Sequence, residues 1–328
     1  MKSTTRYPAA IQRPAISPSS PQKTSPTNDN VIVTVGGSEG IDIALRTFVD
    51  IDDEVILTQP SYVAYTPGVQ LCKAKPVYVQ LEEKDQFKLT PEKLLAAITP
   101  KSKVLLINFP SNPTGGVMTK EDYEKLVPII KEHELIVISD EIYAELTYDD
   151  SFYSLANFDE IKDQVIIISG FSKAYAMTGW RLGYVLGNKT FIKAMNKIHQ
   201  YIIMSASTPA QYGAIDAMRN GDIHVQEMRE SYLARRNYIT KGFNRLGLTT
   251  HLPQGAFYIF PDIRSTGLTS DEFCEKLLQE QHVACVPGTA FGEAGEGFIR
   301  VSYAYSIEHI KEALDRIEKF LDKLHANK

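Results

Sequence analysis

The sequence predicts an α/β fold: a large domain with a mostly parallel sheet covered by helices on both faces, plus a smaller C-terminal α+β domain. Short apolar runs alternate with helical patterns over residues 31–186, and strands that are apolar throughout are typical of parallel sheets buried on both faces. From about Pro209 a long helical stretch replaces this alternation, and short strands follow. A chain of 328 residues is long enough to bury both cores.

In the large domain, the apolar runs are separated by helix start signals. The β-branched run that ends at Val35 leads through glycines into a helical pattern, and Pro91 and Thr119 occupy positions typical of helix starts. The predicted strands are residues 31–35, 54–58, 76–79, 104–108, 135–139, 165–169 and 182–186, and the predicted helices begin after Val35 and after Pro60 and cover residues 90–98 and 119–133.

The C-terminal part has the pattern of an α+β domain. Residues 211–246 form one long helical pattern, which we expect to be interrupted near Gly221 because glycine weakens a helix. The other predicted elements are strands at 256–260, 283–286 and 298–303 and helices at 271–279 and 307–324. We therefore divide the chain into a Pro-, Ser- and Thr-rich lead-in without regular structure (1–29), a large domain (30–210) and a small domain that includes a long interdomain helix (211–328).

Composition and charge exclude several classes of protein. The net charge is −5 and no cluster of Lys and Arg stands out, which disfavours a nucleic-acid surface because phosphate binding requires a basic stripe. No stretch approaches the roughly 18 apolar residues of a membrane span, and the lead-in lacks the apolar core of a signal peptide. Cys72, Cys274 and Cys285 lie far apart without a CxxC motif, which argues against a disulfide framework or a metal site. We therefore predict a cytoplasmic protein that binds neither nucleic acid, membrane nor metal.

Four of the predicted strands end in residues that can perform chemistry. In chain order these are a glycine turn with Gly37 and Ser38, the amide of Asn112, the carboxylate of Asp140 with the phenol of Tyr143, and the amine of Lys173, followed by Arg181. Ligands of open parallel sheets bind beyond the carboxyl ends of the strands. A helix start and an arginine fork bind phosphate or carboxylate, and a poorly solvated lysine amine is a nucleophile with a lowered pKa. The pattern favours one shared ligand site.

Taken singly, each feature has an ordinary structural explanation as a helix cap, a turn, a surface charge or a core aromatic residue. The same holds for Tyr62, which follows a Gln-Pro-Ser turn, and for Arg300 in the strand at 298–303. Their succession on neighbouring strands favours the functional explanation. The glycine turn lacks a GxGxxG motif, which disfavours a nicotinamide-dependent oxidoreductase.

Four sequence blocks together resemble fold-type I pyridoxal-phosphate enzymes, and among them the class I and II aminotransferases. They are Asn-Pro-Thr-Gly at 112–115, Ser-Asp-Glu-Ile-Tyr at 139–143, Ser-Lys at 172–173 with Met-Thr-Gly-Trp-Arg at 177–181, and Gly-Phe-Ile-Arg at 297–300. The resemblance covers about residues 30–325. It is greatest to bacterial aminotransferases of the aromatic, alanine and N-acetyl-diaminopimelate types.

This resemblance implies pyridoxal 5'-phosphate as the cofactor and gives each candidate residue a role. Lys173 would form the internal aldimine and move a proton between Cα and the cofactor, and Asp140 would hold the pyridine nitrogen protonated. The other implied roles are hydrogen bonds to the phenolic oxygen (Tyr143, Asn112), ring stacking (Tyr62), phosphate binding (Gly37, Ser38, Ser172, Arg181) and binding of the substrate α-carboxylate (Arg300, with Asn112).

The resemblance also implies a ping-pong transfer of an amino group from an amino acid to a 2-oxo acid, in a homodimer. We expect neutral or aromatic donors, with 2-oxoglutarate as acceptor. A carbon–sulfur β-lyase of the same fold remains an alternative, because it needs the same lysine, aspartate and arginine. A non-catalytic pyridoxal-phosphate sensor is disfavoured, since residues 1–29 are too short and too Pro-rich for a DNA-binding domain.

The lead-in departs from the family pattern. Family members carry a longer ordered segment before the first strand, which contributes part of the small domain, a lid over the substrate and a tyrosine that reaches the partner subunit's phosphate. Tyr7 is not followed by the Gly…Leu-Arg pattern expected there. We interpret residues 1–29 as a truncated segment or the product of a reading-frame shift, so a catalytically impaired homologue is a further alternative.

Overall fold

The computed structural model describes residues 27–149 and 152–326. The strands of its large sheet are β1 Val31–Thr34, β2 Glu54–Gln59, β3 Lys75–Gln80, β4 Ser102–Asn108, β5 Ile136–Asp140, β6 Val165–Gly170 and β7 Gly183–Leu186. They form a seven-stranded sheet in the order β3-β2-β4-β5-β6-β7-β1. All the strands predicted for the large domain are present, with bounds that differ by a residue or two.

The directions of the strands bring the predicted site residues to one edge. Strands β3, β2, β4, β5 and β6 are parallel to their neighbours, and β7 runs antiparallel between β6 and β1. Strand β1 therefore points the same way as β6. The carboxyl ends of β1, β4, β5 and β6, which carry the four strand-end features, consequently share one edge of the sheet.

Helices cover both faces of this sheet. They are α1 Gly36–Phe48, α2 Tyr65–Leu71, α3 Pro91–Ala97, α4 Lys120–Glu132 and α5 Lys189–Ile202. In β4, Leu105 and Ile107 pack in one apolar cluster with residues of α4, whereas Val104 and Leu106 pack in a second cluster with residues of α1. Burial on alternate faces explains why the central strands are apolar at every position.

Helix α4 begins at the predicted capping box. The backbone N–H of Asp122 donates to Oγ1 of Thr119 (3.2 Å), and the N–H of Thr119 donates to Oδ2 of Asp122 (2.9 Å). These two bonds satisfy donors that a helix start leaves without partners. The helix start predicted from the sequence is confirmed.

The C-terminal part contains a three-stranded antiparallel sheet in the order β8-β10-β9. Its strands are β8 Tyr258–Ile259, β9 Val286–Pro287 and β10 Ile299–Ser302, and its helices are α6 Thr208–Asn220, α7 Asp222–Arg245, α8 Ser270–Gln281 and α9 Ile307–Ala326. A third apolar cluster, with Phe243, Phe273 and Phe320, joins α7, α8 and α9 to the strands. Gly221 separates α6 from α7 as predicted, and a Cβ atom there would lie only 2.4 Å from the carbonyl oxygen of Ala217.

The predicted fold class is confirmed, but three details differ. The strand predicted at 283–286 is found as β9, Val286–Pro287, and shares only Val286 with the prediction. Helix α5 lies in a stretch where no element was predicted, although Asn188 caps it by accepting a hydrogen bond from the N–H of Phe191 (2.9 Å). The strand predicted at 256–260 shrinks to β8, because Ala256 has φ +59° and its N–H donates to the carbonyl of Leu146 (3.0 Å). The division between residues 210 and 211 stays a prediction.

The lead-in lies mostly outside the described residues, since the structure describes the chain only from residue 27 at this end. Within the described part, Asn28–Asn30 form one turn of 3₁₀ helix directly before β1. Among the described residues, regular structure begins at Asn28, and the boundary at residue 29 stays a prediction.

Candidate active site

The turn between β1 and α1 is shaped to bind an anion. Gly36 has φ +72°, and a Cβ atom at this residue would lie 2.8 Å from Nη2 of Arg181. Glycine therefore allows the guanidinium to pack on the turn. Nη1 of Arg181 donates to the carbonyl of Thr178 (2.9 Å). Gly37 and Ser38 lie in the first turn of α1, where N–H groups lack acceptors within the helix and can bind phosphate.

A buried acidic side chain stabilises this turn from behind. Oε2 of Glu39 accepts a hydrogen bond from the N–H of Val35 (2.5 Å), and Oε1 lies 2.6 Å from Nδ1 of His199 on α5. The two side chains are 9% and 5% exposed. The contact ties the start of α1 to α5, and the sequence analysis singled out neither residue.

Asp140 lies at the end of β5 and is 6% exposed. Burial raises the pKa of its carboxyl to about 6, although a hydrogen bond from Tyr65 opposes this shift. Oη of Tyr65 donates to Oδ2 (2.7 Å), and the N–H of Ile142 donates to Oδ1 (3.1 Å). These two donors hold the carboxylate in one orientation at the sheet edge.

Asn112 follows β4 and is also buried. Its N–H donates to Oδ1 of Asn108 (3.0 Å), and Nδ2 of Asn108 donates to the backbone carbonyl of Asp140 (2.9 Å). Asn108 thus links the loop after β4 to the end of β5. On the side-chain side, Nη1 of Arg300 donates to Oδ1 of Asn112 (3.0 Å).

Lys173 follows β6 and is half-buried. Burial lowers the pKa of its amine; the carboxylate of Asp140 opposes this shift, and the charges of Arg300 and Arg181 add to it. The Nζ atom lies 5.7 Å from the ring centres of both Tyr143 and Phe257. The amine therefore shares one environment with the predicted carboxylate and both predicted arginines. Ser172, the preceding residue, is buried, and its carbonyl accepts a hydrogen bond from Oγ1 of Thr178 (2.7 Å).

The phenol of Tyr143 contacts residues from the segment 255–300, which we call the wall of the site. Its Oη atom is 3.1 Å from Oη of Tyr258, and its ring packs edge-on against Phe257 and Tyr258. Burial raises the pKa of both tyrosines, so the hydroxyls keep their protons at neutral pH.

Arg300, on β10, is enclosed by aromatic rings. Its guanidinium carbon lies 4.6 Å from the ring centre of Tyr258 and 4.9 Å from that of Phe291. Its Nε atom is buried without a hydrogen-bond partner, and no carboxylate pairs with it among the residues that the structure describes. A partly buried guanidinium without a carboxylate partner has N–H groups that can bind an anion.

The structure brings together the predicted residues Asn112, Asp140, Tyr143, Lys173 and Arg300, and Arg181 with the glycine turn. Tyr62 packs edge-on against Tyr65, with ring centres 5.5 Å apart. The sequence analysis missed three contributors to the site: Tyr65, Tyr258 and Phe291. Their contacts join distant parts of the chain, and aromatic residues in apolar runs carry no signal that distinguishes them from core residues.

The described ranges, 27–149 and 152–326, lack two features. They contain no group of three or more His, Cys, Asp or Glu side chains that could hold a metal ion. No helix in them is long and apolar enough to cross a membrane.

The sequence matches the family model for aminotransferase class I and II over residues 13–317. It is 48% identical to a putative aminotransferase of Bacillus subtilis, YugH, over 91% of this chain and 77% of that protein. It is 43% identical to the aromatic-amino-acid aminotransferase 2 of Thermococcus litoralis, over 89% of this chain and 76% of that one. The fold is similar to the crystal structure of an aromatic aminotransferase from Pyrococcus horikoshii, with a TM-score of 0.88 at 43% identity, over 90% of this chain and 80% of that one.

The match starts at residue 13, earlier than the start near residue 30 expected from the sequence blocks. It covers most of the chain, including the whole sheet edge and Arg300. The family match and the relatives agree with the site chemistry, an amine of lowered pKa that interacts with a carboxylate and with two arginines. The chain therefore belongs to the class I and II aminotransferases, enzymes that transfer amino groups.

Proposed function

We propose that this protein uses pyridoxal 5'-phosphate to transfer an amino group between an amino acid and a 2-oxo acid by a ping-pong mechanism. The observation that carries the proposal is the environment of Lys173: a half-buried amine of lowered pKa, next to Asp140 and subject to the charges of Arg181 and Arg300. An amine that loses its proton readily can bind an aldehyde carbon.

The residues present fit this cofactor at two positions and its substrate at a third. Arg181 packs on the glycine turn with room only for glycine at residue 36, which suits a phosphate. The carboxylate of Asp140, buried and aligned by two donors, suits a protonated ring nitrogen. The buried, unpaired Nε of Arg300 suits a substrate carboxylate.

Each residue would then have a defined task. Lys173 would hold the aldehyde carbon through Nζ and, once released, would carry the proton that leaves Cα. Asp140 would keep a proton on the ring nitrogen, and Tyr143 with Asn112 would hydrogen-bond the ring oxygen. Gly37, Ser38, Ser172 and Arg181 would bind the phosphate, Tyr62 would stack on the ring, and Arg300 with Asn112 would bind the α-carboxylate.

The bound cofactor supplies a ring that withdraws electrons from the bonds at Cα. The protein residues orient the substrate around this ring. Arg300 would fix the carboxylate, so that the Cα–H bond faces the amine of Lys173. Since aromatic rings surround Arg300, we infer neutral or aromatic amino donors, with 2-oxoglutarate as acceptor.

We also infer a homodimer. Large apolar side chains are exposed at the end of α5, on α6 and beside Arg181 in the chain: Tyr201 (92%), Met204 (80%), Tyr212 (70%) and Trp180 (51%). Trp180 packs on α6 at Gly213, where a Cβ atom would lie 2.9 Å from its ring. An exposed apolar patch of this kind is typical of a protein interface. Met204→Glu should convert the dimer to a monomer in sedimentation analysis, whereas Tyr305→Glu, on another exposed tyrosine, should leave the mass unchanged; a monomeric wild-type protein would contradict the inference.

The test of the main proposal is the visible absorption spectrum with added pyridoxal phosphate. The wild-type protein should show a visible band that an amino acid bleaches, with release of the matching 2-oxo acid. Lys173→Ala should lack the band, and Lys162→Ala, which removes an exposed amine, should retain it. Release of pyruvate, ammonia and homocysteine from cystathionine without amino transfer would identify the β-lyase instead, and a wild-type protein without any band would refute the proposal.

A further inference from the structure

Tyr258 contacts two site groups with different parts of its side chain. Its ring lies 4.6 Å from the guanidinium carbon of Arg300, and its hydroxyl oxygen lies 3.1 Å from that of Tyr143. The side chain is 7% exposed. Tyr258 therefore connects Arg300, the predicted carboxylate-binding residue, to Tyr143, the predicted hydrogen-bond donor to the ring oxygen.

The ring of Tyr258 stabilises the position of Arg300. With Phe291 on the other side at 4.9 Å, it confines the guanidinium between two aromatic faces, and the hydrogen bond to Asn112 (3.0 Å) fixes its rotation. Aromatic faces attract a cation without neutralising its charge. The sandwich thus holds Arg300 in place and leaves the charge free for an anionic ligand.

The hydroxyl of Tyr258 acts on Tyr143. Both hydroxyls keep their protons, because burial raises the pKa of each tyrosine. When the hydroxyl of Tyr143 donates a hydrogen bond to a ligand, its oxygen can accept a hydrogen bond from the hydroxyl of Tyr258. A phenol that accepts a hydrogen bond becomes a stronger donor, so Tyr258 would strengthen the hydrogen bond that Tyr143 makes to the ring oxygen.

The backbone around Tyr258 is held in a fixed position. Residue Ser302 of β10 pairs with Tyr258, and the N–H of Tyr303 donates to the carbonyl of Phe257 (3.0 Å). Two residues earlier, the carbonyl of Ala256 accepts hydrogen bonds from the hydroxyls of Tyr148 and Tyr303. Tyr258 is therefore anchored well enough to position other groups.

We propose that Tyr258 is a positioning residue with two separable tasks: its ring holds Arg300 for the substrate carboxylate, and its hydroxyl tunes Tyr143. This inference rests on the proposed function, which supplies the carboxylate and the ring oxygen. It predicts that removing the hydroxyl and removing the ring have different consequences.

The test compares Tyr258→Phe with Tyr258→Leu in the protein loaded with pyridoxal phosphate. The first measurement is the dissociation constant of 3-phenylpropionate, a carboxylate that lacks an amino group and cannot react, by calorimetry. Tyr258→Phe keeps the ring and should stay within about twofold of wild type, whereas Tyr258→Leu should weaken binding by about three- to thirtyfold.

The second measurement is the pH midpoint of the visible band. Without the hydroxyl of Tyr258, Tyr143 is a weaker hydrogen-bond donor, and more negative charge stays on the ring oxygen of the cofactor. This charge stabilises the proton whose loss changes the visible band, so that the proton is lost at a higher pH. Both variants should therefore raise the midpoint, by roughly 0.5 to 1 pH unit. Tyr238→Phe, on a partly exposed tyrosine of α7, serves as the control and should change neither quantity.

Three outcomes would overturn the inference: Tyr258→Phe weakens carboxylate binding as much as Tyr258→Leu does, Tyr258→Leu leaves that binding unchanged, or the midpoint stays at the wild-type value in both variants. Failure of the proposed function gives a different result, because the wild-type protein itself would then lack a band that depends on Lys173. In that case there is no visible band to titrate, and the role proposed for the hydroxyl of Tyr258 is refuted together with the proposed function.

Discussion

Two sides of the active site supply different kinds of groups. The edge of the seven-stranded sheet supplies Asn112, Asp140 and Lys173, which lie at the end of a buried strand or in the loop that follows it. Contacts with Asn108 and with the N–H of Ile142 orient Asn112 and Asp140. The opposite wall, residues 255–300, supplies Arg300 and the aromatic rings around it. We interpret the edge as the side that performs chemistry and the wall as the side that binds and positions the substrate.

The burial of the two sides fits this division. At the edge, burial raises the pKa of Asp140 to about 6 and lowers the pKa of Lys173, so the lysine amine loses its proton more readily than a solvated one. At the wall, the Nε atom of Arg300 is buried without a hydrogen-bond partner, and no carboxylate among the described residues pairs with the guanidinium. If the division is right, edge substitutions should lower kcat and wall substitutions should raise KM.

The largest effect is expected at the edge, from Asp140→Asn. The amide has the shape of the carboxylate but cannot hold a proton on the ring nitrogen, so kcat should fall by about 10²–10³-fold, with a smaller change in KM. Steady-state kinetics of the variant and of Asp85→Asn, a carboxylate paired with Lys93, would measure this. A rise in KM with unchanged kcat would break the division between the two sides.

Arg300→Lys tests the wall and should have the next largest effect. Lysine keeps the charge but loses the planar fork, so one of two charged hydrogen bonds to the carboxylate is lost. We expect KM to rise by about 10- to 100-fold, with kcat changed less. Arg245→Lys, at an exposed ion pair, is the matched control. A fall in kcat alone would place Arg300 among the chemical groups.

The sequence predicted the edge better than the wall for a physical reason. Strand ends can be recognised from apolar runs, and parallel strands bring those ends together, so Asp140 and Lys173 could be located by their position in the pattern. Arg300 could be located only through the resemblance. Tyr258 and Phe291 act through contacts with residues distant in the chain, which local patterns do not encode.

The same reason applies to the fold. The buried strands and the break at Gly221 follow from local residue types, and the structure has them. The brevity of β8 depends on the left-handed backbone of Ala256 and on its bond to Leu146. That conformation is imposed by long-range contacts, so a β-propensity argument overestimates the strand.

Glu141 lies next to Asp140 at the sheet edge, but we expect it to affect the stability of the fold and not the chemistry. It is 2% exposed, and its Oε1 accepts hydrogen bonds from the hydroxyls of Ser139 (3.0 Å) and Ser154 (2.9 Å). Burial raises the pKa of its carboxyl from 4.5 to about 8. Between these values the native state keeps a proton that the unfolded state has lost.

Stability should therefore fall as the pH rises through that window, by about 1.4 kcal/mol per pH unit from this residue. Glu141→Gln removes this contribution, because the amide does not titrate. Urea unfolding at several pH values should show a shallower decline for the variant than for the wild type, with the difference levelling off above pH 8. Parallel declines would mean that Glu141 ionises normally in the folded protein.

The smallest effect is expected from Tyr65→Phe. This variant tests whether the pKa of Asp140 at the edge depends on a residue that belongs neither to the edge nor to the wall. Tyr65, on α2, is 1% exposed, and its hydroxyl donates to Asp140 (2.7 Å). This bond stabilises the ionised carboxylate and opposes the increase in the pKa of Asp140 to about 6 that burial causes. Without it, Asp140 should take up a proton at a higher pH and lose its ability to pair with a protonated ring nitrogen.

The affinity for pyridoxal phosphate, read from the fluorescence of Trp180, should decline on the acid side near pH 6 in the wild type. In Tyr65→Phe this decline should move upward by roughly 0.5 to 1 pH unit, while the affinity at alkaline pH stays the same. Tyr305→Phe, on an exposed ring outside the inferred dimer interface, should leave the curve unchanged. A uniform loss of affinity at every pH would show that Tyr65 shapes the pocket and does not set the pKa of Asp140. The chemistry of the edge would then depend only on the residues at the strand ends.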